Sequence, residues 1–210
     1  MIAPVFIVVE GRNDIEFLCR ISTMLHADDP LLPDLREMER RQEIVFMPCG
    51  GGDFSSWSWR LSGLDHAEFH LLDRDISPVT EKRQQWVNIV NARPRCRAML
   101  TQHRSLENYI HPLAIAEVSG LQVTFSANDH VANLIARQAY ERHEGRLPWE
   151  SLLGVNRKRR RAKVKMWLNT QAMERMTPQR LAQQDPAGEV RSWLETIARL
   201  AKEPLAQSGR

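Results

Sequence analysis

Five consecutive residues with no polar side chain, Val5 to Val9, restrict this chain more than any other stretch. Three valines with Phe6 and Ile7 leave neither face of an extended strand suited to water, so the strand belongs inside a sheet covered on both sides. Such sheets are parallel and need a crossover after each strand, usually a helix. The following residues supply it. Asn13 or Asp14 can open a helix with apolar positions at Ile15, Phe17, Leu18, Ile21 and Leu25. A strand pattern returns over Glu43 to Met47, and a third apolar run, with Phe69, Leu71 and Leu72, stops at Asp73. Residues 80 to 92 then carry helical spacing, and Cys96 to Thr101 reads as a fourth strand. Residues 1–112 are therefore expected to form an α/β unit with a mostly parallel, Rossmann-like, four-stranded sheet flanked by helices.

From Pro112 onward the strand patterns give out. Helices are expected near 112–118, 128–143, 158–175 and 187–201, separated by Gly120, Pro148, Pro178 and Pro186, with only Gln122 to Phe125 extended. Residues 113–210 thus read as a C-terminal helical region, which either covers the sheet or stands as a lobe. Its tail, PLAQSGR, is expected to fray. At 210 residues the chain can build one good core with a smaller appendage.

The formal charge is only +3, but the basic residues are bunched: Arg157, Lys158, Arg159, Arg160, Arg161, Lys163 and Lys165 fall between positions 156 and 165. Such a run is either a solvated helix face or a phosphate-binding patch. Cys19, Cys49 and Cys96 show no metal-ligand spacing and suit a reducing cytoplasm, and no apolar stretch approaches the ~20 residues of a membrane span. The histidines, among them His66, His70, His103 and His111, are scattered without zinc-ligand spacing. The tryptophans sit in helical patterns that suit a core, with Trp167 beside the basic run the one placed to meet a base.

Acidic residues mark three strand ends or the loops beyond them: Glu10 with Asp14, Asp73 with Asp75, and Glu107. Alternate side chains of an extended chain leave one face, so Asp73 and Asp75 are expected to converge, either on a hard cation or as the solvated end of a strand near Pro78. Gly50-Gly51-Gly52 follows the second strand without the Lys-Ser/Thr of a triphosphate-binding loop; it reads as a flexible turn or as a loop in close contact with a phosphate. Asp53 to Leu61 reads as a helix with Trp57 and Leu61 on one side.

Three blocks in order, VFIVVEGRNDIEFL, HLLDRD and SLENYI, resemble the Toprim domain, the catalytic module of topoisomerases, primases and the overcoming-lysogenization-defect nucleases. Glu10-Gly11 and Asp73-Arg74-Asp75 match the family's glutamate and its Asp-x-Asp pair. The third block is similar to that of the nuclease subset and of small Toprim proteins that accompany ATPases in phage defence. The resemblance implies a Mg²⁺- or Mn²⁺-dependent endonuclease acting on DNA or RNA, in defence or repair, under a separate ATPase, with self-association left open. Glu10, Asp73 and Asp75 would hold the catalytic ion, and Asp14 and Glu107 a second one, with Ser105 a minor contributor. Glu10 could instead act as general base. Lys163 or Lys165 would neutralise the transition state, and Arg157 to Arg161 would bind substrate. A pair of ions about 4 Å apart serves phosphodiester hydrolysis by activating water and stabilising the leaving oxygen. Only Tyr109 and Tyr140 are present, and Tyr109 is expected to pack locally and not to attack a phosphate. Two rivals stand beside this reading: a non-nuclease module that binds a metal or metal-nucleotide and signals to a partner, and an acidic phosphatase, which would want an aspartate where Glu10 stands.

Overall fold

The computed structural model describes residues 4–50, 61, 66–143 and 147–203. Gly51, Gly52, the tail from Pro204 and, apart from Leu61, the helix expected over Asp53 to Leu61 lie outside the described residues. Strands β1 (Val5–Val9), β2 (Ile44–Pro48), β3 (Glu68–Leu72) and β4 (Cys96–Leu100) form one sheet in the order β2-β1-β3-β4, every pairing parallel. The inner strands are the buried ones: Val5, Ile7, Val8 and Val9 are at most 1% exposed, and all five residues of β3 are buried, Glu68 and His70 among them. The outer strands leave Val45 and Arg97 to solvent.

Strand alternation sorts the two faces. Val5, Ile7, Val9, Phe69 and Leu71 meet α1 (Arg12–Asp28), which buries Phe17, Leu18, Ile21 and Leu25, and beyond it α2 (Leu35–Arg40). On the other face Leu72, Cys96 and Ala98 meet Trp86, Val87 and Val90 of α3 (Val79–Asn91). Each large apolar side chain buried this way contributes about 1.5–3 kcal/mol.

The second half contains α4 (Pro112–Ser119), α5 (Val131–Glu141), α6 (Gly154–Trp167), α7 (Pro178–Gln184) and α8 (Glu189–Lys202). These helices cover the sheet. The cluster holding β1 and α1 runs on through Ile115, Ile135, Val164, Leu168, Val190, Trp193 and Ile197. Helix α8 lies against β1 and β3, its buried residues Val190, Trp193, Leu194, Ile197 and Leu200 recurring at helical spacing. Trp167 is half-buried and packs against this core.

Three expectations are corrected. Gln122 to Phe125 is not a strand: Leu121 and Val123 alternate with exposed neighbours as a strand's residues would, yet no β-partner pairs the segment among the described residues. Helix α6 starts at Gly154, ahead of residue 158, and passes into a wider π turn over Leu168–Ala172. Helix α7 was not anticipated, because Pro178 reads as a break. Thr177 accepts from the Arg180 amide at 3.2 Å and Pro178 occupies the first turn, a start signal that the Thr-Pro pair carries. Among the described residues no helix is long and apolar enough to cross a membrane.

Candidate functional site

Because every strand runs the same way, the residues after Val9, Pro48, Leu72 and Leu100 all emerge on one edge of the sheet. The strand order switches direction between β1 and β3, and the carboxyl ends at such a switch are where open α/β sheets take up ligands. Glu10 and Asp73 follow those two strands directly. Gly11 then caps α1 with an extended backbone, and its amide donates to Asp14 Oδ2 at 2.9 Å, which folds the Asp14 carboxylate back over the strand end. The helix thus opens at Arg12, ahead of Asn13.

Glu107 arrives from the 3₁₀ turn Leu106–Tyr109 that follows β4. The Leu106 amide donates to Asp73 Oδ1 at 3.0 Å, tying this turn to β3. From below, α8 clamps it: the Tyr109 hydroxyl donates to Glu189, whose two oxygens also accept from the Gln102 amide at 3.0 Å. Tyr109 is fully buried, in keeping with a packing role.

The fourth contributor comes from α6. Lys165 Nζ lies 3.4 Å from Glu107 Oε2 and 4.0 Å from Asp73 Oδ2. Its turn neighbour Asn169, carried by the π turn, donates to Glu107 Oε1 at 3.0 Å and to the Lys165 carbonyl at 2.9 Å. A second cation, Arg83 of α3, approaches Glu10 Oε1 to 2.6 Å and donates to the Asp73 carbonyl.

The electrostatics follow from this crowding. Burial, then the charges of Glu10 and Glu107, raise the Asp14 carboxyl to about 7. Asp73 is pushed well above the usual carboxylate range by the same causes in the same order. Glu10 is raised by burial, with Asp75 and Glu107 adding to it against the opposing charges of Arg83 and Lys165. Glu107 moves the other way: burial pushes it up, but the Lys165 ammonium and hydrogen bonds from Asn169, Ser105 and its own amide more than offset that. Lys165 is correspondingly raised, since the surrounding carboxylates outweigh the cost of burying its charge.

Asp75 departs from the expected pairing. The strand ends at Leu72, and Asp75 adopts a left-handed backbone, φ 58°, so the period of two does not carry past Asp73. The Asp75 amide donates to the Arg104 carbonyl at 2.8 Å and its Oδ1 lies 3.5 Å from Arg104 Nε, at the rim of the cluster. Ser105 donates to Asn108 Oδ1 at 3.0 Å within its turn. Of the two lysines only Lys165 joins the cluster; Lys163 is exposed. Arg157 and Arg161 are half-buried, Lys158 and Arg159 are exposed, and Arg160 lies over the Tyr140 ring, 4.8 Å from its centre.

The patterns singled out neither Arg83, Arg104, His130 nor Asn169. His130 precedes α5 and is held below its usual value by burial and then by the charges of Arg104, Lys165 and Arg161. Isolated polar residues far apart in sequence give no spacing signal. The nearest thing to one was Asn169 four residues beyond Lys165.

As the side chains lie, no three carboxylate, imidazole or thiolate groups among the described residues stand ready to share one metal ion. The donor set nonetheless suits a hard cation. Glu107 Oε2 and Glu10 Oε1 are buried oxygens with no hydrogen-bond partner among the described residues, and lie beside the Lys165 ammonium and the Arg83 guanidinium respectively. Four buried carboxyl groups share two side-chain cations, and three of the four are held above their usual range, so the cluster's charge depends on pH. The fold and cluster thus define an α/β protein with a buried acidic cluster around Lys165 at the switch point of a parallel sheet. Comparison with protein-family models, with curated proteins and with solved structures finds no match for this chain.

Proposed function

We propose that this protein is a Mg²⁺- or Mn²⁺-dependent endonuclease of Toprim type that hydrolyses phosphodiester bonds in DNA or RNA in the cytoplasm. The observation that carries the reading is the meeting of Glu10, Asp14, Asp73 and Glu107, from three separate segments, at the carboxyl ends of β1, β3 and β4, close enough to perturb one another's ionisation. Buried like charges are costly, and a fold that retains them without a cation role would be trading stability for nothing visible in its packing. The three sequence blocks supply those same residues.

In this reading Glu10, Asp14, Asp73, Asp75 and Glu107 would hold the divalent ion. The bound ion would polarise the phosphate and lower the pKa of an attacking water. The chain's own residues do the rest. Arg83 fixes the Glu10 carboxylate; Asn169 fixes Glu107; the Leu106 amide fixes Asp73. Lys165 balances the cluster's charge at rest and is placed to face the charge that grows on the phosphate oxygens during attack. Partnership with a separate ATPase belongs to the same reading and rests on the third sequence block.

A second reading is favoured by the position of Lys165 itself. An ammonium among the carboxylates suits a module that takes up a metal-nucleotide and changes shape in response, without cutting. Single-turnover assays on single-stranded DNA, duplex DNA and tRNA with Mg²⁺ or Mn²⁺ separate the two. The nuclease reading expects cleavage that Glu10→Ala and Asp73→Ala each abolish while the fold melts normally. Full cleavage by the Asp73→Ala, Asp75→Ala double variant would refute it, and saturable metal binding with no cut on any substrate would favour the second.

A further inference from the structure

The basic run on α6 does not act as one patch. At 3.6 residues per turn, Lys158, Arg161 and Lys165 fall on one stripe, while Arg159 and Lys163 fall on the opposite side. Lys165 marks the direction of the stripe, because its ammonium enters the acidic cluster. Arg161 stands one turn further out, and its charge is felt at His130, as are those of Arg104 and Lys165. Lys158 is another turn out and exposed. Among the described residues neither Lys158 nor Arg161 is engaged in an ion pair. Arg160 is used elsewhere, over the Tyr140 ring.

The helix that carries the stripe packs against α5 on one side and leaves most of its residues at least partly exposed. Only Val164 of its fourteen residues is buried, and Leu153 and Val155, at its start, are each 68% exposed. Packing does not explain seven basic residues there. Exposed cations that no carboxylate neutralises attract a phosphate polymer. From Lys158 to Lys165 the helix rises about 10 Å, the axial length of roughly three phosphates of one strand in a duplex.

We propose that Lys158 and Arg161, continued at the site's rim by Arg104, form a guide that holds the backbone of a polynucleotide on the α6 side of the acidic cluster. The substrate class is therefore a nucleic-acid polymer extending about three phosphates past the cluster, and mononucleotides or small phosphoesters miss most of the attraction. Arg159 and Lys163 take no part. This inference rests on the nuclease reading but is tested without turnover.

Two double variants with the same loss of charge make the comparison: Lys158→Ala with Arg161→Ala, and Arg159→Ala with Lys163→Ala. Fluorescence anisotropy of a labelled single-stranded DNA, its RNA counterpart and the DNA duplex is read with the full chain in Ca²⁺, with probe integrity checked on a gel. The strongest binder names the polymer. The inner pair is expected to weaken binding about tenfold or more and to flatten the slope of log K against log salt by roughly 1.4 on single strands or roughly 1.8 on duplex; the outer pair moves binding less than about twofold. Equal effects from the two pairs, or wild-type protein that binds none of the probes, would overturn the guide. Thermal melts exclude unfolding, and Arg161→Gln, which keeps most of the half-buried side chain's bulk, repeats the test. Cleavage in which both pairs are equally impaired removes the guide and keeps the nuclease; selective binding without any cleavage does the reverse.

Discussion

Replacing Lys165 by methionine keeps most of the side chain's apolar bulk and removes its charge. At an effective dielectric constant of about 20, the attraction of Nζ to Glu107 at 3.4 Å and to Asp73 at 4.0 Å is about 5 and about 4 kcal/mol. Desolvation of the ammonium opposes these terms, and breaking a buried pair costs about 3–5 kcal/mol overall. Lys165 keeps 30% of its side chain in water, so we take a loss of about 2–3 kcal/mol, or roughly 5–10 °C in Tm for a chain of this length. Acidity separates charge from packing. Glu107 is held low by Lys165, so its stabilising contribution is full above its unfolded value of about 4.3 and is lost as pH falls through the lower folded value. Glu10, Asp14 and Asp73 are raised, so their mutual repulsion costs stability as pH rises from about 4 through their folded values, about 7 for Asp14. Without the ammonium that repulsion is opposed less, by Arg83, at about pH 8, and protonation relieves it toward acid pH. Melting curves of wild type and Lys165→Met in chelator should therefore differ most at the alkaline end and converge toward the acid end. A difference in Tm that stays constant across that range would refute the electrostatic account and leave Lys165 as a packing residue.

Two further outcomes are expected. Asp14→Asn keeps an oxygen that can accept from the Gly11 amide and removes a carboxyl held at about 7 instead of 3.8. Metal-free protein should gain up to about 4 kcal/mol above pH 7 and nothing near pH 4, and a lower Tm at high pH would contradict this. Glu189→Gln replaces the ionised acceptor shared by the Tyr109 hydroxyl and the Gln102 amide, with an expected loss of about 1–3 kcal/mol in chemical denaturation. An unchanged midpoint would show that α8 does not clamp the turn bearing Glu107.

The sheet was legible because its inner strands are written in apolar runs that admit one reading. Val5 to Val9 has the bounds expected of it, and the acidic residues after Val9 and Leu72 lie on one edge because parallel strands put them there. What sequence pattern did not convey was everything set by backbone exceptions or distant packing. Asp75 leaves the pair because its φ is positive, a property that no alternation rule carries. Lys165 and not Lys163 enters the site because Val164 and Leu168 turn their side of the helix toward the core, and two lysines at adjacent apolar-poor positions look alike until that contact exists. Arg83 and Asn169 reach Glu10 and Glu107 across separations of 73 and 62 residues respectively, with no local signature.

The most direct test of the acidic site is a Mn²⁺ titration of the metal-free protein at about pH 7.5, followed by electron paramagnetic resonance of the free ion and by Tm in parallel. The account predicts saturable uptake with a Tm that climbs as sites fill, by the equivalent of about 2.7 kcal/mol at a hundredfold excess over Kd, and loss of both responses in the Glu10→Ala, Asp73→Ala double variant. Uptake that is absent, or that is the same in that variant as in wild type, would contradict it.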